Sequence, residues 1–233
     1  MIKAIFFIVF IIFCDLTIGQ NYNNQISVDV KYQALKKGKL FTIENTTFYD
    51  GRKEDVICYY HTPTEFYKSI NAKGEITIYM PRENTVSFTH NSHYSSKNEL
   101  IYYFVSNKTE DLGLRNEGFT IKDSKYEGNN LIVTWESPVT ITTVKEVDIV
   151  YENMVPIYSE YRDIKDKVIK KTYYYEYYLG SFFSLPQKIT EISYTSENDS
   201  VIKRTSISNI KLGSAVDERK FKFDIPADAT YID

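Results

Sequence analysis

The chain has 233 residues and a net charge of −3 at neutral pH, a balance that gives no reason to expect a nucleic-acid partner or an anionic membrane surface. Its distinctive residues are aromatic: 21 Tyr and 14 Phe against a single Trp. That usage favours strands, and a wide apolar surface that needs either packing or a ligand.

Met1–Gly19 has the layout of a secretory signal. Lys3 supplies the positive start, Ala4–Phe13 an unbroken apolar run, and Thr17 and Gly19 the small residues before a cleavage point at Gln20. The run of about ten residues is too short to cross a bilayer of roughly 30 Å as a helix. A soluble, secreted chain of residues 20–233 is the expectation. The alternative is acylation at Cys14, against which the bulky Phe13 stands. After cleavage only Cys58 remains, so no intramolecular disulfide is predicted and packing must carry the stability.

Residues 20–24 are an Asn/Gln-rich start. Ile26, Val28, Val30 and Tyr32 then alternate with polar residues as a one-sided strand. Leu35–Lys39 turns around Gly38, and strands follow at 40–49 and 54–61, separated by the hairpin signal Asp50-Gly51. Val56, Cys58 and Tyr60 share a face of the second. Pro63–Ser69 leads into a further hairpin. In it Ile76, Ile78 and Met80 alternate with Thr77 and Tyr79, Pro81 ends the strand, Arg82-Glu83-Asn84 turn, and Val86 and Phe88 restart the alternation.

The one helix predicted covers 97–108. Ser96 and Glu99 have capping-box spacing, and Leu100, Tyr103 and Phe104 recur at i, i+3 and i+4. Residues 111–118 read as a loop or a short second helix. Strands are then predicted at 119–126, 130–136, 144–152, 155–162, 168–178, 186–195, 201–210 and 219–224. This succession implies a mainly β protein with a few short helices, built as an antiparallel sheet or barrel. No linker divides it, so 20–233 is read as one domain.

Catalytic chemistry is not found. There is no Gly-x-Ser-x-Gly elbow, His-Glu-x-x-His or phosphate-cradling glycine loop. Cys58 and His61, three apart on a strand, face opposite sides and could not share a metal without a bulge. His90 and His93 belong to an Asn/Ser-rich turn. Glu146, Asp148 and Glu152 lie on one strand face, and two carboxylates at i, i+2, as Glu146 and Asp148 are, stand about 7 Å apart, a spacing that could suit an inverting glycosidase. Their neighbours on that face are charged, so a solvated outer face is expected. Catalytic residues, metal and cofactor are therefore all predicted as none. Tyr173, Tyr174, Tyr175, Tyr177 and Tyr178 put aromatics on both faces of a strand, which predicts a central strand covered on each side.

The order Gly74, Tyr79, Pro81, Asn84, Val86 resembles the central hairpin of LolA-type periplasmic lipoprotein carriers. Leu185-Pro186-Gln187-Lys188, Thr205–Asn209 and Phe221-Lys222-Phe223-Asp224-Ile225-Pro226 resemble the closing strands of the same family. The resemblance spans roughly residues 55–230. It implies an incomplete, strongly bent antiparallel half-barrel with a helical lid, a periplasmic location, and lipid or lipoprotein acyl chains held in the cavity between. It also implies inner- and outer-membrane sorting proteins as partners of a monomer. The family commonly starts with an amphipathic helix, whereas residues 25–34 here alternate with period two. Alternation places Val56, Cys58, Tyr60, Ile76, Ile78, Val86, Phe88, Leu131, Val133 and Trp135 on the cavity wall. Leu100, Tyr103 and Phe104 form the lid's inner face, so that Phe104→Asp is expected to weaken acyl binding and spare the sheet. The alternative function is an extracytoplasmic binding or scaffold module that uses the Tyr-rich face for glycan or protein.

Overall fold

The computed structural model describes residues 25–91, 94–195, 199–222 and 224–232. The predicted signal segment with Cys14, residues 20–24, His93 and Phe223 lie outside the described residues. The strands are β1 (Gln25–Lys36), β2 (Lys39–Asp50), β3 (Asp55–Thr62), β4 (Phe66–Ile70), β5 (Glu75–Met80) and β6 (Thr85–His90). One α-helix follows, α1 (Leu100–Val105). Then come β7 (Thr120–Glu127), β8 (Asn130–Glu136), β9 (Glu146–Glu152), β10 (Val155–Arg162), β11 (Val168–Leu179), β12 (Ser184–Tyr194), β13 (Ser200–Leu212) and β14 (Thr230–Ile232).

These strands form one fourteen-stranded sheet in the order β14-β6-β5-β4-β3-β2-β1-β13-β12-β11-β10-β9-β8-β7. Two antiparallel meanders, β1–β6 and β7–β13, are thus joined side by side where β1 meets β13. Tight turns make each meander. Lys37 and Gly38, both at positive φ, connect paired Lys36 and Lys39, the two-residue geometry that matches strand twist. The Asp50 carboxylate accepts from the Arg52 backbone N–H at 3.0 Å and from Gln25 at 3.2 Å, fixing the next turn. Register shifts along the β1–β13, β2–β3, β7–β8 and β9–β10 ladders insert bulges, and bulges bend strands. The result is a curled, open sheet: an incomplete barrel.

Its concave face carries the main core. Ile26, Val28 and Val30 of β1, Tyr49 of β2, Val56 and Cys58 of β3, and Leu185, Ile189 and Ile207 of β12 and β13 pack there against Tyr102, Tyr103 and Phe104 of α1. A second cluster joins Val133, Trp135, Val147, Ile149 and Tyr151 beneath Leu114 and Phe119 of the α1–β7 connection. The connection between the two meanders therefore crosses the concave face, and Leu112 touches both clusters. The convex face holds a smaller group, Phe48 and Ile57 with Val216.

The described structure departs from sequence expectation at five places. Residues 96–105 are not one helix. Glu99 is extended (φ −74, ψ 139), so a 3-10 turn at Ser96–Asn98 precedes the six-residue α1. The Ser96 hydroxyl donates to the Glu54 carbonyl instead of closing a capping box. Residues 66–70, left within a connection, form β4 because Val56 and Ile70 pair on the buried face. Residues 218–221 are a 3-10 turn, not a strand. The Asp217 carboxylate accepts from the Arg219 backbone N–H, and Phe221 meets Phe48 edge-on at 5.7 Å. The tyrosine strand β11 is covered on one face only. Glu176 at positive φ breaks its alternation, so Tyr174 and Tyr177 turn inward while Tyr173 and Tyr175 stay about 40% exposed.

The fifth departure concerns the hairpin of β5 and β6. The turn pairs Tyr79 with Val86 and Thr77 with Phe88, and opposite residues share a face. Val86 and Phe88 therefore lie on the face away from Ile76 and Ile78, whose partners are Thr89 and Ser87. Asn84 sits at φ 48, and its side-chain oxygen accepts from the Tyr79 hydroxyl at 3.1 Å. The Asn84 backbone carbonyl accepts from the Thr230 N–H at 2.9 Å and so starts β14. Tyr79 and Asn84 thus shape a turn and dock an edge strand.

Candidate functional site

Two adjoining compartments lie between the concave face and the α1 region. The inner one, about 180 Å³, is lined by Val28, Val30, Val56, Cys58, Tyr60, Leu185 and Ile207 from the sheet and by Leu100 and Ile101 from α1. The outer one, about 540 Å³, is lined by Ile43, Tyr103, Leu112, Tyr161, Tyr174 and Ile189, with Lys170, Thr172, Glu191 and Lys203 among its polar groups. Tyr32, Leu100 and Thr205 border both. Small-molecule pockets run to roughly 300–1,000 Å³, and the outer compartment falls within that range. The inner one extends it with a largely aliphatic wall that also carries Asn45, Thr47, Lys68 and Glu99.

Sequence explains the wall. Alternation along β1 turns Val28, Val30 and Tyr32 inward, and the antiparallel register brings Ile207 opposite Val30 and Thr205 opposite Tyr32. The cover is held from behind. Phe104 is 0% exposed and meets the rings of Tyr174 and Tyr177 at 5.9 and 6.2 Å. Lys108 donates to the Tyr102 hydroxyl at 2.5 Å, and Tyr151 donates to the Glu110 carbonyl at 2.6 Å. Gly113 lies at φ +91, and a Cβ there would meet the Tyr103 hydroxyl. These contacts fix the ends of the cover, while its first turn, at Leu100, stays 36% exposed.

Of the predicted positions, Val56, Cys58, Tyr60, Leu100 and Tyr103 do meet at the compartments. Phe104 lies behind them in the core. Leu131, Val133 and Trp135 belong to the second cluster, under Leu114 and Phe119. Ile76 and Ile78 share the concave side but sit beyond β4, half-buried and outside both linings. Val86 and Phe88 face the convex side. The walls from β1, β12 and β13 were missed. The β1 alternation is plain enough to have found them, whereas Ile207 stands alone among Ser206 and Ser208.

Cys58 is a built-in reporter. Burial pushes its thiol up to about 11, and the Thr47 hydroxyl lies 3.5 Å away. Below that value little thiolate exists, so maleimide labelling at pH 8 is expected to be far slower than in urea. Labelling at the unfolded rate, followed by mass shift, would mean that the inner compartment stands open. His61 is on the other side of the strand, with its Nε2 3.1 Å from the Thr46 hydroxyl. Among the described residues no group of three His, Cys, Asp or Glu is placed to hold a metal. Glu146 and Asp148 lie on the outer face as read, but they are paired rather than solvated: Arg162 bridges Glu146, Asp148 and Glu160.

Comparison with solved structures places the fold. A DUF1329 family protein from Desulfovibrio piger aligns over 88% of this chain and 91% of its own, with a TM-score of 0.56 at 12% identity. A LolA superfamily protein from Nitrosomonas europaea aligns over 86% and 90%, at 0.54 and 10%. A putative outer membrane lipoprotein-sorting protein domain from Vibrio parahaemolyticus aligns over 84% and 88%, also at 0.54 and 10%. No protein-family model matches the sequence, and no curated protein matches it either. The chain has the LolA-type fold, as the hairpin and closing-strand motifs imply.

Proposed function

We propose that this protein is a non-enzymatic extracytoplasmic carrier that takes up a lipid, or the acyl chains of a lipoprotein, between the concave face and the α1 cover. The observation that carries this reading is the pair of adjoining compartments, walled mainly by aliphatic and aromatic side chains and covered by one short helix. The neighbour named as a lipoprotein-sorting domain supports it at the level of fold. Each methylene buried contributes about 0.8 kcal/mol, so six contribute about 5 kcal/mol, enough to hold a chain yet release it. The exposed Leu40 and Phe41 at the tip of the β1–β2 hairpin stand beside the mouth at Ile43. They give the carrier an apolar approach surface. The N-terminal signal pattern fits delivery to a periplasm, with residues 20–233 acting as a monomeric domain between sorting proteins of the two membranes. Acylation at Cys14 would tether the same domain to a membrane.

The test is native mass spectrometry of the chain recovered from a bacterial periplasm, with solvent extraction of whatever accompanies it. Co-purifying phospholipid or acylated peptide, displaced by added fatty acid, is the expected result. A clean apo mass with no uptake of a hydrophobic probe would overturn the reading. The scaffold alternative would then lead, because the Tyr158 and Tyr173 rings meet at 5.0 Å, tilted by 52°, beside exposed Tyr175 on the outer face.

A further inference from the structure

We infer that the outer compartment receives an anionic lipid head, a carboxylate or a phosphate, on the ammonium of Lys170, with the acyl chain running inward past Leu100. The inference rests on the carrier reading and names its ligand class. Lys170 projects from β11 into the outer compartment. Its cross-strand neighbours are Tyr161 on β10 and Ser193 on β12, so no acid stands opposite. The ammonium lies 3.7 Å from the centre of the Tyr161 ring, and among the described residues no carboxylate forms an ion pair with it.

The lysines around it are matched. Lys171, on the other face of the same strand, pairs with Glu160 at 3.6 Å. Lys203, which shares the compartment, pairs with Glu191 at 3.1 Å. Of the three, Lys170 alone has no carboxylate in an ion pair with it among the described residues; Lys68, the lysine of the inner compartment, lies beyond Leu100 at the chain's end of the path. A half-buried ammonium against aromatic surface is costly unless something pairs with it, and burial lowers its affinity for a proton accordingly. The ring holds the cation in place but supplies no counter-charge, and the Glu191 carboxylate, which acts on Lys170 through space, is engaged by Lys203. A carboxylate or phosphate arriving at the mouth supplies one, while the Thr172 and Thr205 side chains border the same space. An uncharged diacylglyceryl head gains nothing there.

The experiment is displacement of a bound hydrophobic dye from the full-length protein by palmitate, 1-palmitoyl lysophosphatidate and neutral monopalmitin. The wild type is expected to bind at least one anionic ligand about ten-fold or more tightly than monopalmitin, the scale of a charge-assisted hydrogen bond. Whichever of the two binds tighter identifies the head as carboxylate or phosphate. Lys170→Met is expected to bring the anionic ligands down to the level of monopalmitin and leave monopalmitin unchanged. Lys170→Arg is expected to retain most of the preference. Equal wild-type affinity for charged and neutral ligands overturns the inference and leaves the carrier standing, even if Lys170→Met fails to fold. An equal loss of all ligands in Lys170→Met assigns Lys170 to packing and also overturns it. Failure of the wild type to bind any ligand overturns the carrier reading itself.

Discussion

Truncation of Phe104 to alanine is expected to cost about 3–5 kcal/mol of folding stability, read as a fall in the urea midpoint at unchanged slope. The side chain has no exposed surface and is enclosed by Tyr174, Tyr177 and the β1, β3 and β12 residues of the main core. Removing it leaves a cavity lined by rings that are hydrogen-bonded elsewhere, as Tyr177 is to the Pro156 carbonyl, so collapse is hindered. Phe104→Asp goes further, because a carboxylate there has neither water nor a partner. It is expected to unfold the α1 cover, not merely to weaken a ligand. A cost below about 1 kcal/mol for Phe104→Ala would show that α1 is a loosely held flap, and the division of the cover into fixed end and free turn would fail.

Leu100→Asp is expected to do the reverse: to weaken uptake of a fatty acid or apolar dye by about ten-fold or more while shifting stability by less than about 1 kcal/mol. Leu100 opens α1, where an acidic residue is favoured by the helix dipole, and it is already partly exposed. Yet it borders both compartments, so its replacement puts charge at the junction a chain must pass. A buried leucine contact is worth about 1.5–3 kcal/mol, and an uncompensated carboxylate adds to the loss. Dye titration beside urea denaturation separates the two effects. Unchanged uptake would remove Leu100 from the path. A large stability loss would make it part of the core.

These two residues, four apart on one short helix, show where the sequence was informative and where it was not. The i, i+4 spacing identifies both as inward-facing. It does not say which one meets the sheet and which meets space, because that depends on the extended Glu99, which starts the helix only at Leu100. The strand alternations were legible from residue type alone: β8 and β10 are found at their predicted limits. Register was not. Val86 and Phe88 have the right period, but the turn around Asn84 pairs them with Tyr79 and Thr77 and so reverses their side. Leu131, Val133 and Trp135 were placed on the correct face, but the loop residues Leu114 and Phe119 that cover them have no periodicity to announce it. Lys170 was equally hidden, since one lysine among Lys170, Lys171 and a tyrosine run looks like any other until register assigns its neighbours.

The joining of β1 to β13 has a consequence for how the protein comes to exist. Every other antiparallel pair in the sheet links strands adjacent in sequence, and such hairpins form within about 1–10 μs. The β1–β13 ladder links the two ends of the described chain, so its loop-closure entropy is the largest and it is expected to form late. Until it forms there is no inner compartment, because Val28 and Val30 come from one side of that seam and Ile207 from the other. Each half-made molecule meanwhile presents an unpaired strand edge, and the β1 edge of one copy fits the β13 edge of a second. Refolding at high concentration is therefore expected to yield exchanged dimers, in which the cavity of each unit is built from two chains.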